Sequence, residues 1–148
     1  MLSNKAKYGI KAVLYLAQFE GEPVQIAAIA ETQNMPKKFL DAILLELRNA
    51  GILRSKKGKG GGYTLALPAR KITIGQIVRA LDGPLAPIAC ASRNAFRPCD
   101  DCTSVDLCEV RAVMLEVRDA IAAVLDHTSV DDLRHRRHQV EPLLIYDI

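Results

Sequence analysis

A mainly α fold with one small β-hairpin follows from three features of the 148-residue sequence. Apolar residues recur at helical spacing in separate stretches along the chain. Between two of them lie two short β-prone runs joined by a Gly/Lys turn, Lys56 to Gly62. The composition is 49% hydrophobic but only 5% aromatic, with no Trp, which favours a core of aliphatic helix packing. The missing Trp also argues against a carbohydrate or flat-aromatic ligand site.

Ser3 suits the cap of a first helix from about Asn4 to Phe19, with Ile10, Val13, Leu14 and Ala17 on one face and Gly21 as its stop. Pro23 breaks the chain. Ile26, Ala27, Ile29 and Ala30 mark a short second helix ending near Asn34. Pro36 suits the first turn of a third helix, whose stripe is Leu40, Ile43, Leu44 and Leu47, and Gly51 ends it. Ile52–Ser55 and Tyr63–Leu67 read as strands, the second closed by Pro68. Three helices, the last two joined by a short turn, followed by a hairpin predict a winged helix-turn-helix.

Thr73 caps a fourth helix with Ile74, Ile77, Val78 and Leu81 inward, and Gly83 and Pro84 end it. Residues 84–106 show no clean periodicity, and a loop of that length in a small protein is usually functional or disordered. A long helix is predicted from about Asp106 to Asp126. Val110, Met114, Val117, Ile121 and Val124 form a heptad seam on it, which predicts a long dimerisation helix. Thr128, Ser129, Asp131 and Asp132 restart a short final helix. The predicted units are a winged DNA-binding domain at 1–83, a cysteine-bearing sensor loop at 84–107, and a dimerisation helix with C-terminal tail at 108–148.

The net charge of +3 hides an asymmetry. Residues 1–71 carry twelve Lys and Arg against five Asp and Glu, a net of +7; residues 72–148 carry eight Arg against twelve acids, a net of −4. Only the front half suits a polyanion. DNA presents closely spaced phosphates, met by Lys, Arg and backbone N–H groups. Lys56, Lys57 and Lys59 supply charge on the turn, its glycines allow close backbone approach, and Arg54 precedes it on the strand. Lys37, Lys38 and Asp41 stand near the start of the third helix, where a recognition helix reads base edges. Lys5, Lys7 and Lys11 on the first helix suit flanking phosphates or a wet surface.

Other classes are poorly served. No Gly-Lys-Ser/Thr follows the glycine run to open a helix, so a nucleotide loop is not expected. No nucleophile–base pairing is visible, so no enzyme is expected. No run of about eighteen apolar residues predicts a membrane helix. The start, Met1 to Lys7, lacks the apolar run of a signal peptide, so a cytoplasmic protein with reduced cysteines is expected. His135 and His138 have metal-binding spacing but read more simply as surface beside Arg134, Arg136 and Arg137.

The segments Leu2–Gly9, Phe39-Leu40 with Leu47–Gly51, and Gly60–Tyr63 through Leu81–Gly83 resemble the Rrf2 family of winged-helix transcription regulators, the family of IscR, NsrR and CymR. The resemblance spans roughly the whole chain. It implies a homodimer with two winged helices on an imperfect palindrome of double-stranded DNA, joined by a long crossed helix, and it puts Asp41 at a base-reading position. Cluster-binding members carry three loop cysteines, and Cys90, Cys102 and Cys108 are similar to that set. The five-residue gap from Cys102 to Cys108 matches, the gap from Cys90 is longer, and Cys99 is additional. The family's fourth ligand, a His after the last cysteine or an Asp in the first helix, is replaced by Arg111 or Lys7.

Four thiolates suffice for a [2Fe–2S] or [4Fe–4S] cluster with Cys99 as the fourth ligand. They suffice equally for zinc, for which Cys99-x-x-Cys102 is a common half-site, or for reversible thiol oxidation without metal. Inert cysteines are normally scattered and buried, unlike these. The expected function is a redox, iron–sulfur or nitric-oxide sensing regulator, most simply a repressor. A cluster-free regulator controlled by a partner enzyme is the alternative, which the CymR-like ending Leu144–Ile148 keeps open.

Overall fold

The structure is a computed structural model that describes residues 2–19 and 21–136. Six α-helices and one hairpin follow in order: α1 (Asn4–Leu16), α2 (Ile26–Thr32), α3 (Lys37–Asn49), β1 (Leu53–Lys56), β2 (Gly62–Leu65), α4 (Ile74–Asp82), α5 (Glu109–Asp126) and α6 (Val130–Arg136). The chain is mainly α with a two-stranded antiparallel sheet, as its periodicity predicts. No described helix is long and apolar enough to cross a membrane. His138, Arg137 and the tail 140–148 lie outside the described residues.

Local signals place most of the ends. The Ser3 hydroxyl accepts from the Ala6 N–H at the start of α1. That helix is α-helical only to Leu16; Ala17–Phe19 tightens into a 3₁₀ turn before Gly21 at positive φ. Pro36 stands at the cap of α3, one position earlier than expected, because its extended ψ cannot join the helix. The strands are shifted to 53–56 and 62–65. Tyr63 also exchanges two backbone hydrogen bonds with Val24, at 2.8 and 2.9 Å, so the wing is anchored to the segment preceding α2. Gly62 is required there, since a Cβ would strike the Val24 backbone.

The core lies between α1, α3 and α4. Leu40, Ile43, Leu44 and Leu47 of α3 meet Ala12, Val13 and Leu16 of α1 and Ile77, Val78 and Leu81 of α4. Gly9 is buried in α1 where that helix passes α4, and a Cβ there would overlap Leu81. Asp82, at the far end of α4, accepts hydrogen bonds from the Ser3 backbone N–H and hydroxyl, closing the same helix pair. Thr73 and Gln76 form a reciprocal capping box on α4.

α5 begins at Glu109, three residues later than the sequence predicts, because the Cys108 side chain caps it by accepting from the Arg111 N–H. Its far end is tied to the front half of the molecule. Residues Thr73 and Ser129 form an antiparallel bridge, with Ile74 N–H donating to Thr128 and Val130 N–H to Ile72. Val130 is fully buried in the common core. Arg79 of α4 makes a two-point ion pair with Asp126 at 2.5 and 2.8 Å, and its guanidinium holds that carboxyl below the usual carboxylate range.

The packing at Gly9 generates a stability prediction. Gly9→Ala places a methyl group against Leu81 in a filled core, and overpacking of that kind costs about 1–3 kcal/mol despite the better helix propensity. Thermal unfolding should show a lowered midpoint. An unchanged or raised midpoint would mean that α1 and α4 separate freely.

Candidate functional site

Two groups of side chains stand apart from the core: the cations around the wing, and the cysteines before α5.

The first group converges on a groove of 470 Å³ between the start of α3 and the hairpin. Lys37 and Asp41 line it from α3, Lys56 and Lys57 from the wing. Position decides this. The N-terminal turn of α3 points past the hairpin, while its Leu40–Leu47 stripe is committed to the core. Sequence reasoning missed further contributors. Arg48 lines the groove and donates to Ser55 at 3.4 Å, linking α3 to β1, and Gln25–Ala27 at the start of α2 form another wall. Nothing local singles these out, because they meet the groove only through packing. Lys38, Arg54 and Lys59 are exposed but do not line it. Lys5 is engaged by Glu46 at 2.6 Å on its own domain. The lining holds four cations against the single carboxylate of Asp41, a surface suited to an anionic, grooved partner.

The second group is on the segment between α4 and α5. Cys90 sits in a 3₁₀ turn at Ala89–Ala91 and is only 4% exposed. Cys99 is exposed, and Cys102 and Cys108 are half-buried. The Cys90 side chain, Asp101 and Cys102 lie near the Cys99 thiol. Cys90 first, and then the other neighbours, push the Cys99 thiol above its ordinary value. The Cys102 N–H donates to the Cys99 carbonyl at 3.2 Å, a tight turn across the two-residue spacer. Cys108 caps the N-terminus of α5, its sulfur accepting from the Arg111 N–H at 3.4 Å.

All four cysteines are free thiols. Among the described residues, no three Cys, His, Asp or Glu side chains converge in metal-ligand geometry. The donor set fits a thiolate-bound group in its chemistry alone: four thiols fall within nineteen residues, with Cys108 on the adjoining helix cap. Arg111 fills the position one helical turn after Cys108 and donates through Nε to the Cys90 carbonyl at 2.9 Å, so it braces the segment.

α5 presents a third feature. Its inward residues include Arg111, Leu115, Arg118, Ala122 and Leu125, and it packs on α4 and the Ala89–Ala91 turn. The neighbouring apolar stripe is open. Val110 is 62% exposed and Val124 60%, Val113 and Val117 are exposed too, and no residue of α5 is buried. Met114 and Ile121 of the same seam are half-buried along its edge.

Comparison with known proteins is consistent across three levels. The family model Rrf2, described as an iron-dependent transcriptional regulator, matches residues 2–136. An Rrf2-like helix-turn-helix regulator of Rhodobacter capsulatus is 39% identical over 137 residues, covering 90% of this chain and 91% of the relative. The structure of CymR, the global cysteine regulator of B. subtilis, superposes with a TM-score of 0.73 at 33% identity, covering 91% of this chain and 96% of that one. IscR of T. potens superposes with a TM-score of 0.71 at 30% identity over 99% and 96% of the two chains.

Proposed function

Because the chain belongs to the Rrf2 family and is thus a DNA-binding transcriptional regulator rather than an enzyme, we propose that it works as a cytoplasmic homodimer controlled through its cysteine segment. The observation that carries the DNA reading is the shared groove of the α3 N-terminus and the wing. α3 enters the major groove of an imperfect palindrome, and the wing lies on the adjacent backbone. Lys56 and Lys57 neutralise phosphates. Asp41 accepts from cytosine N4, and Lys37 and Lys38 donate to bases or phosphates. Arg54 and Lys59 add charge to the hairpin. Three functional units serve this: 1–83 for DNA, 84–107 for sensing, 108–148 for dimerisation.

The open stripe of α5 supports dimerisation. Five apolar residues at heptad positions on a helix that already packs its other face call for a partner, and a second α5 matches them in length and chemistry.

The four cysteines within nineteen residues of one segment support an iron–sulfur cluster held by all four. When bound, such a cluster supplies one-electron redox chemistry and a centre that reacts with oxidants and nitric oxide. The protein's own contribution is to bury Cys90, keep Cys99 at the surface where reagents arrive, and fix Cys108 at a helix N-terminus. A second reading is favoured by the Cys90–Cys99 thiol contact: a cluster-free regulator responding to thiol oxidation, zinc or a partner protein.

Three outcomes are expected. Lys56→Glu with Lys57→Glu weakens binding to all duplex sequences and lowers the salt slope by about 0.9 for each phosphate no longer neutralised; Asp41→Ala instead alters preference among operator variants. An unchanged slope would remove the wing from the interface. Val117→Glu with Val124→Glu, both exposed in the protomer, leaves the fold intact but places unpaired charge in the seam, at about 3–5 kcal/mol. Sedimentation should show monomer; a stable dimer would assign the stripe another role. Protein prepared anaerobically with iron and sulfide should absorb visible light, and Cys102→Ala should abolish this. Colourless protein with stoichiometric zinc, or with none, would establish the second reading instead.

A further inference from the structure

Two arginines of α5 have no place in the functions assigned so far. Arg111 and Arg118 are seven residues apart and so lie on one face of the helix. Their guanidinium groups donate to successive carbonyls of one turn: Arg111 Nε to Cys90 at 2.9 Å, and Arg118 Nη1 to Ala91 at 2.7 Å. Asp119, beside Arg118, receives Arg118 at 2.6 Å and Arg93 from the same segment at 3.0 Å. Arg118 is the less exposed partner, with 13% of its side chain accessible. Arg111 also stands 6.0 Å over the ring of Phe96, from the stretch joining Cys90 to Cys99.

We infer that Arg111 and Arg118 are positioning residues that clamp the Cys90 turn onto α5 and transmit its state to that helix. This rests on the cysteine segment being the sensor and α5 the dimerisation helix.

The geometry supports the inference in three ways. First, the clamp acts on backbone carbonyls, so it follows the conformation of the turn and leaves the thiols free to react. Second, Arg and carbonyl form charge-assisted bonds, and in a half-buried setting these are stronger than neutral ones. Third, α5 is fastened at its other end to the DNA-binding unit by the Arg79–Asp126 pair and the bridge between Thr73 and Ser129. The helix is therefore held at both ends: by the cysteine turn near its start and by the winged unit near its finish. A rearrangement of Cys90 that withdraws either carbonyl releases the first hold alone and lets α5 tilt about the second. Lysine would not replace either arginine fully, since Arg118 serves Ala91 and Asp119 at once through a planar fork.

The test begins with reduced, metal-free, full-length protein and iodoacetamide, with labelling followed at each cysteine by peptide mass. In the parent protein Cys90 should label more slowly than Cys99. In Arg111→Ala with Arg118→Ala, Cys90 should label at least about tenfold faster as the turn opens locally, with Cys99 unchanged. Arg118→Lys should fall between, and it serves as the deciding variant if the double substitution fails to fold. Cys90 labelling unchanged in a folded variant would overturn the clamp. A second arm compares operator affinity before and after loading with iron and sulfide. If the parent switches affinity, the variants should lose most of that switch while keeping the metal-free affinity; variants that switch as the parent does would overturn the transmitting role. If the parent takes up the cluster without switching, the transmitting role fails; if it takes up none, the iron–sulfur reading fails on its own and the labelling arm still decides the clamp.

Discussion

The pairing of residues 72–74 with 128–130 governs where the long helix can lie. Two backbone hydrogen bonds, Ile74 to Thr128 and Val130 to Ile72, return the chain to the strand-like segment leading into α4. Val130 then enters the core, and Arg134 donates to the Ala17 carbonyl at the end of the first helix. A helix of eighteen residues would otherwise be free to swing about a long loop. Fastened here, and by Arg79 to Asp126, it takes a defined direction from the winged unit. In the proposed homodimer that direction sets the separation of the two α3 helices, which DNA accepts only at whole helical turns.

The winged unit answers a different demand. α3 must bury one face and offer the other. Its apolar stripe ends at Leu40, so the preceding turn, with Lys37 and Lys38, is left in solvent above the core. The wing reaches the same region because Tyr63 is paired to Val24, which ties the hairpin to the segment ahead of α2. Four cations of the front half are thereby gathered into one groove. The acidic back half carries its charge elsewhere, partly neutralised in pairs such as Arg93 with Asp119 and Arg134 with Asp131.

The cysteine segment joins these two requirements. It connects α4, part of the DNA unit, to α5, and it packs on α5 through the Ala89–Ala91 turn. A segment in that place affects geometry whatever chemistry occurs at its thiols, since a change of a few kcal/mol between two arrangements is enough to shift a population.

Much of this was legible in the residues alone. Helix periodicity, the caps at Ser3, Thr73 and Ser129, and the glycine turn are local signals, read within a few residues, and the resulting elements are where those signals put them. The exposure of Lys37, Asp41, Lys56 and Lys57 was also readable, because helix starts and hairpin turns expose side chains by their geometry. The element ends were less so: the Cys108 thiol rather than Asp106 starts α5. Contacts between distant residues were not readable at all. The role of Gly9 against Leu81, the burial of Val130, Arg48 on Ser55, and Arg111 and Arg118 on the cysteine turn each join segments whose meeting is decided by how the helices pack. A heptad stripe shows in sequence that α5 has two apolar or mixed faces; only the packing of α4 and the Cys90 turn decides which face is used within the chain and which is left open.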